Sequence, residues 1–198
     1  MSRLFLQKYS QKKRYYNVFA DNCSLIFLHS LTKMYSMALQ IRTATAEDMD
    51  DVLCLITELA HYEKEPDAVK ITAETLRQMG FGPSPLFHCF IAQENENIVG
   101  MALVYFRFST WVGQSLHLED LVVAQEHRGK GIGSALYNQV MRYAKSKNVN
   151  RVEWVVLDWN TPAVEFYKKS GALLLTDWYL VQMDEERLNK YLKTIDSK

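Results

Sequence analysis

The chain has 198 residues, of which 48% are hydrophobic and 23% charged, and this composition is typical of a globular domain with a sizeable core. Its formal net charge is zero, but six of the 23 basic and one of the 23 acidic residues lie in residues 1–37, which leaves 17 basic and 22 acidic residues for 38–198. An acidic body argues against a nucleic-acid partner and favours a cationic ligand, and no apolar run approaches the ~20 residues of a membrane span.

Residues 1–37 differ from the rest of the chain because they are basic and aromatic and show no sustained periodicity. We predict a tail without function, either disordered or the product of a start codon placed too early, with Met34 or Met37 as the true start. A basic, acid-poor leader is also typical of an organelle transit peptide. The domain is predicted to extend from residue 38 to residue 198.

The first half of the domain predicts strands and helices in alternation. "LQIRTA" is a short strand, and Thr45 with Asp48 resembles a capping box that starts a helix with apolar spacing as far as Ala60. A second helix is predicted over Thr72–Met79 and is ended by "GFGPSP". The segments "LFHCFIAQ" and "IVGMALVYFRFS", joined by the polar turn "ENEN", predict a hairpin.

The second half continues the alternation. "SLHLEDLVV" predicts a strand, and the apolar face from Ile132 to Ala144 predicts a helix. "RVEWVVLD" is typical of a buried strand, Thr161 is the predicted cap of the next helix, "WYLVQM" predicts a late strand, and Asp184 starts a last helix. The expected fold is one α/β (α+β) domain with a mixed sheet that is antiparallel early and has a strand–helix–strand crossover in the middle.

The cysteines and histidines do not have the spacing of a metal site. Cys54 and Cys89 lie among apolar residues and are expected to be buried free thiols of a reducing compartment. His117 could lie near Glu119 on one strand face and tune it, although ordinary packing is the simpler interpretation. We therefore expect no metal.

A glycine loop in "DLVVAQEHRGKGIGSAL" stands between a strand and a helix, where backbone N–H groups can bind a phosphate. It is not a P-loop, since Gly133 is followed by Ser134 rather than by Lys. It is not a Rossmann fingerprint either, since Gly129, Gly131 and Gly133 alternate. The pattern R-G-x-G-I-G remains, in which Arg128 and successive amides would surround a pyrophosphate.

This loop resembles the acetyl-CoA loop of the GNAT superfamily of N-acetyltransferases. The segments "LITELAHYEKEPDAV", "GFGPSPLFHCFIA", "STWVGQSLHLEDLVV" and "VLDWNTPAVEFYKKSGA" are similar to its diamine (spermidine/spermine) and thialysine acetyltransferase branch. The resemblance spans about Ile41 to Lys193. It implies a central, mostly antiparallel twisted sheet that is flanked by helices and splays apart at the acetyl-CoA site.

The resemblance also implies two catalytic residues. Acetyl transfer needs a base for the protonated amine and an acid for the leaving thiolate. The family's strand glutamate falls on Glu119, which acts directly or through water, and its tyrosine falls on Tyr167. From the residues alone, Glu119 could be a surface carboxylate and Tyr167 a core aromatic. Asp120 would point to the opposite face of a regular strand, whereas a bulge would bring both carboxylates into the site.

The remaining site residues fall into two groups. The resemblance assigns most of them, and Glu153, Trp154 and Asp158 are added because carboxylates and an aromatic wall suit a cation. The cofactor-binding set would be Leu121, Val122, Val123, Arg128, Gly129, Lys130, Gly131, Ile132, Gly133, Ser134, Asn160 and Lys169. The amine-binding set would be Tyr62, Glu63, Glu119, Asp120, Glu153, Trp154 and Asp158. The segment "LLLTDW" carries only Asp177 where the polyamine enzymes have a longer acidic stretch, which disfavours spermine and favours a shorter amine.

The implied function is transfer of the acetyl group of acetyl-CoA to a primary amine of a small cationic acceptor, by direct attack in a ternary complex. The acceptor would be a thialysine- or lysine-like amino acid or a di- or polyamine. The alternatives are acetylation of a protein N-terminus, a protein lysine or an aminoglycoside, and a non-catalytic acetyl-CoA-binding module. The resemblance further implies a homodimer, and we expect a cytoplasmic enzyme with no nucleic-acid or membrane partner.

Overall fold

The computed structural model describes residues 39–196, so the predictions for residues 1–37 lie outside the described residues. The chain divides into two compact units, one that ends at Trp154 and one that begins at Val155.

The first unit contains a five-stranded sheet with strand order β1-β2-β3-β4-β5. Its strands are β1 (Gln40–Thr43), β2 (His88–Glu94), β3 (Asn97–Ser109), β4 (Gly113–Val123) and β5 (Arg151–Glu153). Neighbouring strands are antiparallel from β1 to β4, and β5 runs parallel to β4. The mixed, mostly antiparallel sheet that the sequence predicts is therefore confirmed.

Helices cover both faces of this sheet. The helices of the first unit are α1 (Met49–Tyr62), α2 (Ala73–Phe81) and α3 (Ile132–Ser146). Fully buried α3 residues, including Leu136 and Val140, pack on one face with Phe90, Leu116 and Leu118. On the other face, residues of α1 and α2 pack against the sheet; these are Met49, Val52, Leu55 and Leu76, with Cys89, Ile91 and Val122. We call this second face the α1 face.

The start of α1 follows the sequence prediction. Asp48 Oδ2 accepts a hydrogen bond from the backbone N–H of Thr45 at 2.7 Å, as in a capping box. The Arg42 guanidinium donates to both oxygens of Asp48, at 2.7 and 2.8 Å, and this contact holds the pKa of Asp48 below its usual value. The strand β1 is thereby tied to the helix that follows it.

The strand after α3 is shorter than predicted. The run "RVEWVVLD" predicts a buried strand of eight residues, but β5 covers only Arg151–Glu153 and its residues are half-buried. Its ladder with β4 ends at the pair His117–Glu153, just before an irregularity in β4. An apolar run forms a strand only as far as its partner stays alongside, so the ladder stops there.

The second unit contains α4 (Thr161–Lys169) and α5 (Glu185–Asp196). Asn160, rather than the predicted Thr161, is the cap residue of α4, and its side chain accepts from the Ala163 N–H at 3.4 Å. Asp184 starts α5 as predicted, with its Oδ1 2.8 Å from the Arg187 N–H. The predicted strand "WYLVQM" is wrong, because residues 178–183 have no strand partner in the described part of the chain.

Cys89 is buried as predicted, whereas Cys54 is exposed because it lies on the outer side of α1. None of the helices in residues 39–196 is long and apolar enough to cross a membrane.

Candidate active site

An irregularity in β4 decides where the carboxylates of the candidate site point. Leu103 of β3 pairs with Asp120 and the next residue, Val104, pairs with Leu118, so Glu119 is an extra residue opposite the β3 strand. This is a β-bulge, which breaks the alternation of side chains and bends the strand. The sequence left a regular strand and a bulge open, and the structure has the bulge.

The bulge brings Glu119 and Asp120 to the same face. His117 pairs with Tyr105 and Asp120 pairs with Leu103, and residues that face each other across a ladder share a face. Because Tyr105 and Leu103 are two residues apart on β3, His117 and Asp120 both lie on the α1 face. Glu119 reaches this face too, since its Oε2 lies 3.6 Å from His117 Nε2.

The two adjacent carboxyls differ in their surroundings. The side chain of Glu119 is 52% exposed, so that it is open to a ligand. Asp120 is half-buried, and burial, with the negative charges of Glu119 and Glu63, raises its pKa to about 6. A group that is hard to ionise beside other carboxylates favours a cation nearby, because the cation relieves the repulsion.

The C-terminal end of α1 adds a further carboxyl and an aromatic ring. Glu63 directly follows α1, and burial raises its pKa. The adjacent Tyr62 ring lies under the Arg128 guanidinium, 5.1 Å from ring centre to Cζ. Glu63 therefore acts electrostatically on Asp120, and Tyr62 connects this end of the site to the glycine loop.

The glycine loop joins β4 to α3 and has the backbone that the sequence predicts. Gly129 and Gly131 have φ of +76° and +83°, in the left-handed region, and no atom lies within 4 Å of a Cβ built on either. Glycine is needed here for conformation rather than for space. The first-turn N–H groups of α3, from Ile132 to Ser134, follow directly and form the positive end of a helix.

Arg128 is already engaged by neighbouring groups. Its Nε donates to the Val123 carbonyl at 2.8 Å, and its Nη2 lies 3.5 Å from Glu58 Oε1. Glu58 also accepts from the Gln125 N–H at 2.8 Å. The loop is thus fixed to α1 through Glu58, a residue that the sequence analysis did not single out and that has no motif of its own.

One edge of β4 is open beyond the bulge. Its ladder with β5 covers only Ser115 to His117, and in the described residues no strand pairs with the same edge from Leu118 to Val123. Leu121 and Val123 therefore offer backbone groups at this edge, as the sequence predicts for the pantetheine arm. The Val122 side chain is buried in the core, and Val122 pairs with Met101, so its backbone groups are turned toward β3 and not toward the open edge.

The predicted amine-binding residues at the end of β5 and directly after it do not lie together. Glu153 lies on the α1 face, since it pairs with His117. Trp154 packs with the core on the α3 side, edge to face with Tyr137 at 5.8 Å. The structure thus brings Glu153, but not Trp154, to the carboxylates of β4.

The remaining predicted residues lie in the second unit. Asp158 is in an exposed turn, Asn160 caps α4, and Tyr167 and Lys169 lie in its last turns. The Tyr167 ring packs edge to face on Phe166 at 5.4 Å. Asn160 and Tyr167 are about two helical turns apart and so lie on one side of α4.

Two residues of β3 were missed by the sequence analysis. Tyr105 and Arg107 are two residues apart, lie on the α1 face and contact His117. The Tyr105 ring centre is 5.0 Å from the centre of the imidazole, and Arg107 Nη1 is 3.3 Å from His117 Nδ1. Burial, and the Glu119 carboxylate to which its hydroxyl donates, raise the pKa of Tyr105. In the sequence, the spacing of two residues between Tyr105 and Arg107 indicates that they share a strand face. It does not show that this face meets His117 and Glu119, because that depends on the register between β3 and β4.

Comparisons with a family model and with curated relatives both identify acetyltransferases. The model of the acetyltransferase (GNAT) family matches residues 49–172. The chain is 40% identical over 161 residues to thialysine N-epsilon-acetyltransferase of Sus scrofa, covering 76% of this chain and 95% of that protein. It is 37% identical over 159 residues to the human spermidine/spermine N(1)-acetyltransferase-like protein 1, covering 75% of this chain and 23% of that protein.

Solved structures share the fold. An integron cassette protein from the mobile metagenome of V. cholerae superimposes with a TM-score of 0.66 at 24% identity, over 79% of this chain and 99% of that one. An aminoglycoside acetyltransferase from an uncultured soil metagenomic sample superimposes with a TM-score of 0.62 at 17% identity, over 74% of this chain and 97% of that one.

Proposed function

Since the chain belongs to the acetyltransferase (GNAT) family, we propose that it transfers the acetyl group of acetyl-CoA to a primary amine of a small cationic acceptor. It is an N-acetyltransferase. The observation that carries the proposal for the acceptor site is the bulge, which exposes Glu119 next to Asp120 on the strand that leads into the glycine loop. Glu63 adds a third carboxyl that acts on Asp120.

The donor would bind along β4 and the loop that follows it. Leu121 and Val123 would hydrogen-bond the pantetheine arm at the open edge of β4. The loop residues from Arg128 to Ser134 would bind the pyrophosphate through their N–H groups and the positive end of α3. The left-handed glycines and the open space around them support this placement. Acetyl-CoA would supply the activated acetyl group as its thioester.

Glu119 would accept the proton of the acceptor amine, directly or through water. A primary amine has a pKa near ~10 and arrives protonated at neutral pH, so that it cannot attack until a base removes the proton. Glu119 is suited to this step because it is exposed on the face where Asp120 and Glu63 attract a cation. Direct attack in a ternary complex then needs no covalent enzyme intermediate.

Tyr167 would protonate the leaving thiolate, in the role that the family resemblance gives it. Asn160 and Lys169, on the same helix, would contact the cofactor arm and its phosphates. Within the second unit, their shared helix supports these roles: Asn160 caps α4, and Tyr167 lies about two turns later on the same side.

We propose a lysine-like amino acid, such as thialysine, or a short diamine as the acceptor. The relatives at 38 to 40% identity are named for thialysine acetylation. A longer polycation is disfavoured because the segment before Trp178 carries only Asp177. Selectivity among small amines depends on contacts that differ by about 1–3 kcal/mol.

A turnover assay tests this proposal. Release of free CoA thiol from acetyl-CoA is followed with thialysine, lysine, putrescine, spermidine and a lysine-containing peptide, and mass spectrometry identifies the product. We expect saturable release with a small amine. Tyr167→Phe should lower kcat and leave the affinity for acetyl-CoA unchanged. Tyr191→Phe, a matched change on α5, should leave both kcat and this affinity unchanged. Turnover of the peptide alone would contradict the proposed acceptor, and cofactor binding without any turnover would indicate a binding module.

We also propose a homodimer and a cytoplasmic location, both supported by the family resemblance. Light scattering of the purified chain tests the first, and imaging of a C-terminally tagged chain tests the second. A monomer at working concentration, or targeting to an organelle, would contradict them.

A further inference from the structure

A chain of polar contacts connects the three strands around Glu119. Arg107 Nη1 lies 2.8 Å from Glu153 Oε1 and 3.3 Å from His117 Nδ1, and His117 Nε2 lies 3.6 Å from Glu119 Oε2. Glu153 also faces Arg151, whose buried Nε lies 2.9 Å from Oε2 without the alignment of a hydrogen bond. Acetyl transfer as described above makes no use of His117 or Arg107.

The contact with Arg107 determines where His117 carries its proton. A guanidinium group has donors only, so the imidazole nitrogen that faces it must be an acceptor. His117 Nδ1 is that nitrogen, and the ring proton therefore belongs on Nε2, the nitrogen that faces Glu119. The Nε2–H tautomer thus has its donor directed at the base.

The surroundings of His117 keep the ring neutral. Burial, and the positive charge of Arg107, lower its pKa, against the opposite effect of Glu119 and Glu153. The groups that face the ring are Tyr105 and Arg107 from β3, Glu119 from β4 and Glu153 from β5. With Arg151, this set already contains two cations and two carboxylates. A proton on His117 would add an unbalanced charge in a buried position.

We propose that His117, held by Arg107 as the Nε2–H tautomer, is a positioning residue that orients the Glu119 carboxylate toward the acceptor amine. Glu153 holds Arg107 in place through their ion pair and so acts on His117 only indirectly. This inference rests on the proposed role of Glu119 as the base. The distance of 3.6 Å exceeds that of a hydrogen bond, but such contacts are often long before substrate binds and shorten in the reacting complex.

Substitutions at His117 separate positioning from packing. His117→Phe keeps a ring against Tyr105 but removes the donor, and we expect kcat to fall at least about tenfold with the KM for acetyl-CoA unchanged. His117→Gln can place an amide N–H near the position of Nε2, and it should recover most of the activity. Equal loss in both variants would overturn the proposal, since it would show that an N–H donor at this position does not restore activity. A fully active His117→Phe would also overturn it, since it would show that only the shape of the ring matters.

Substitutions at Arg107 test the tautomer through the pH profile. Arg107→Met removes the cation and the donor, so His117 protonates more easily. The imidazolium would form an ion pair with Glu119 and make it a weaker base, so the acid limb of kcat should move to higher pH, by roughly half a unit or more. Arg107→Lys keeps a donor-only cation and should leave the limb near its original position. An acid limb that stays unchanged in Arg107→Met would overturn the proposal.

A measurement on the unaltered full-length protein decides the tautomer without any substrate. The ¹⁵N chemical shifts of His117, assigned by comparison with His117→Gln, should show a protonated Nε2 and an unprotonated Nδ1 at neutral pH. A proton on Nδ1, or an imidazolium, would overturn the proposal. Glu119→Gln keeps the two failures distinct: unchanged turnover in this variant refutes the proposed base, whereas lost turnover with a fully active His117→Phe refutes positioning alone.

Discussion

Replacing Asp120 by asparagine should stabilise the protein at neutral pH and weaken its site. The pKa of this carboxyl rises from 3.8 to about 6 on folding, mainly through burial. Because the folded state then resists ionisation more than the unfolded chain does, the charged form opposes folding above pH 6 by up to about 3 kcal/mol. Water that reaches the half-buried side chain reduces this figure, so we expect a gain of about 1–2 kcal/mol at pH 7.5 in Asp120→Asn.

The pH dependence of this gain follows from the sign of the change. As the pH falls from about 6 toward 4, Asp120 takes up its proton in the folded state and the penalty disappears. The advantage of Asp120→Asn should therefore be full above pH 6 and absent below about pH 4. Urea unfolding, followed by tryptophan fluorescence at several pH values, measures the free energy of unfolding in both proteins.

The matched control is Asp67→Asn, in an exposed turn after α1, which should leave the stability and its pH dependence unchanged. Asp120→Asn should also raise the KM for the cationic acceptor, because a negative charge of the site is lost. If Asp120→Asn destabilised the protein at every pH, or stabilised it equally at pH 4 and 7.5, the electrostatic account of this site would be refuted.

Two further predictions concern the framework of the site. Arg42→Met should lower the free energy of unfolding by about 1–3 kcal/mol at neutral pH, because it leaves Asp48, whose side chain is 10% exposed, without its ion-pair partner. This loss should become smaller as acid neutralises Asp48. Equal free energies of unfolding of variant and parent at pH 7 would contradict the prediction. Gly131→Ala should lower the free energy of unfolding by about 1–2 kcal/mol, because residue 131 has a φ of +83°, and should weaken acetyl-CoA binding measured by calorimetry. Gly131→Asn should lower the stability less. An alanine variant as stable as the parent would show that the loop relaxes freely.

The sequence predicted most of the sheet because its strands show their own period. In β4, the side chains of Leu116 and Leu118 lie in the core on the α3 side, and Leu121 and Val123 pack against the same core. The step from Leu118 to Leu121 breaks the alternation by one residue. That break is the local signature of the bulge, but a single sequence does not show whether the extra residue is accommodated by the strand or ends it.

The errors occurred where a partner, and not the segment itself, decides the structure. "RVEWVVLD" and "WYLVQM" are both apolar enough for strands, yet β5 stops at Glu153 and the later segment forms no strand. Arg107 and His117 were likewise not predicted as a pair, since their contact depends on a register between β3 and β4 that residues far apart in the chain set together.

The most direct test of the central claim is the rate of acetyl transfer in a preformed ternary complex, compared between the parent protein and Glu119→Gln. We predict a fall of about 10²- to 10⁴-fold with unchanged acetyl-CoA affinity, the range expected for loss of a general base. A fall of less than about threefold would contradict Glu119 as the residue that removes the proton of the acceptor amine.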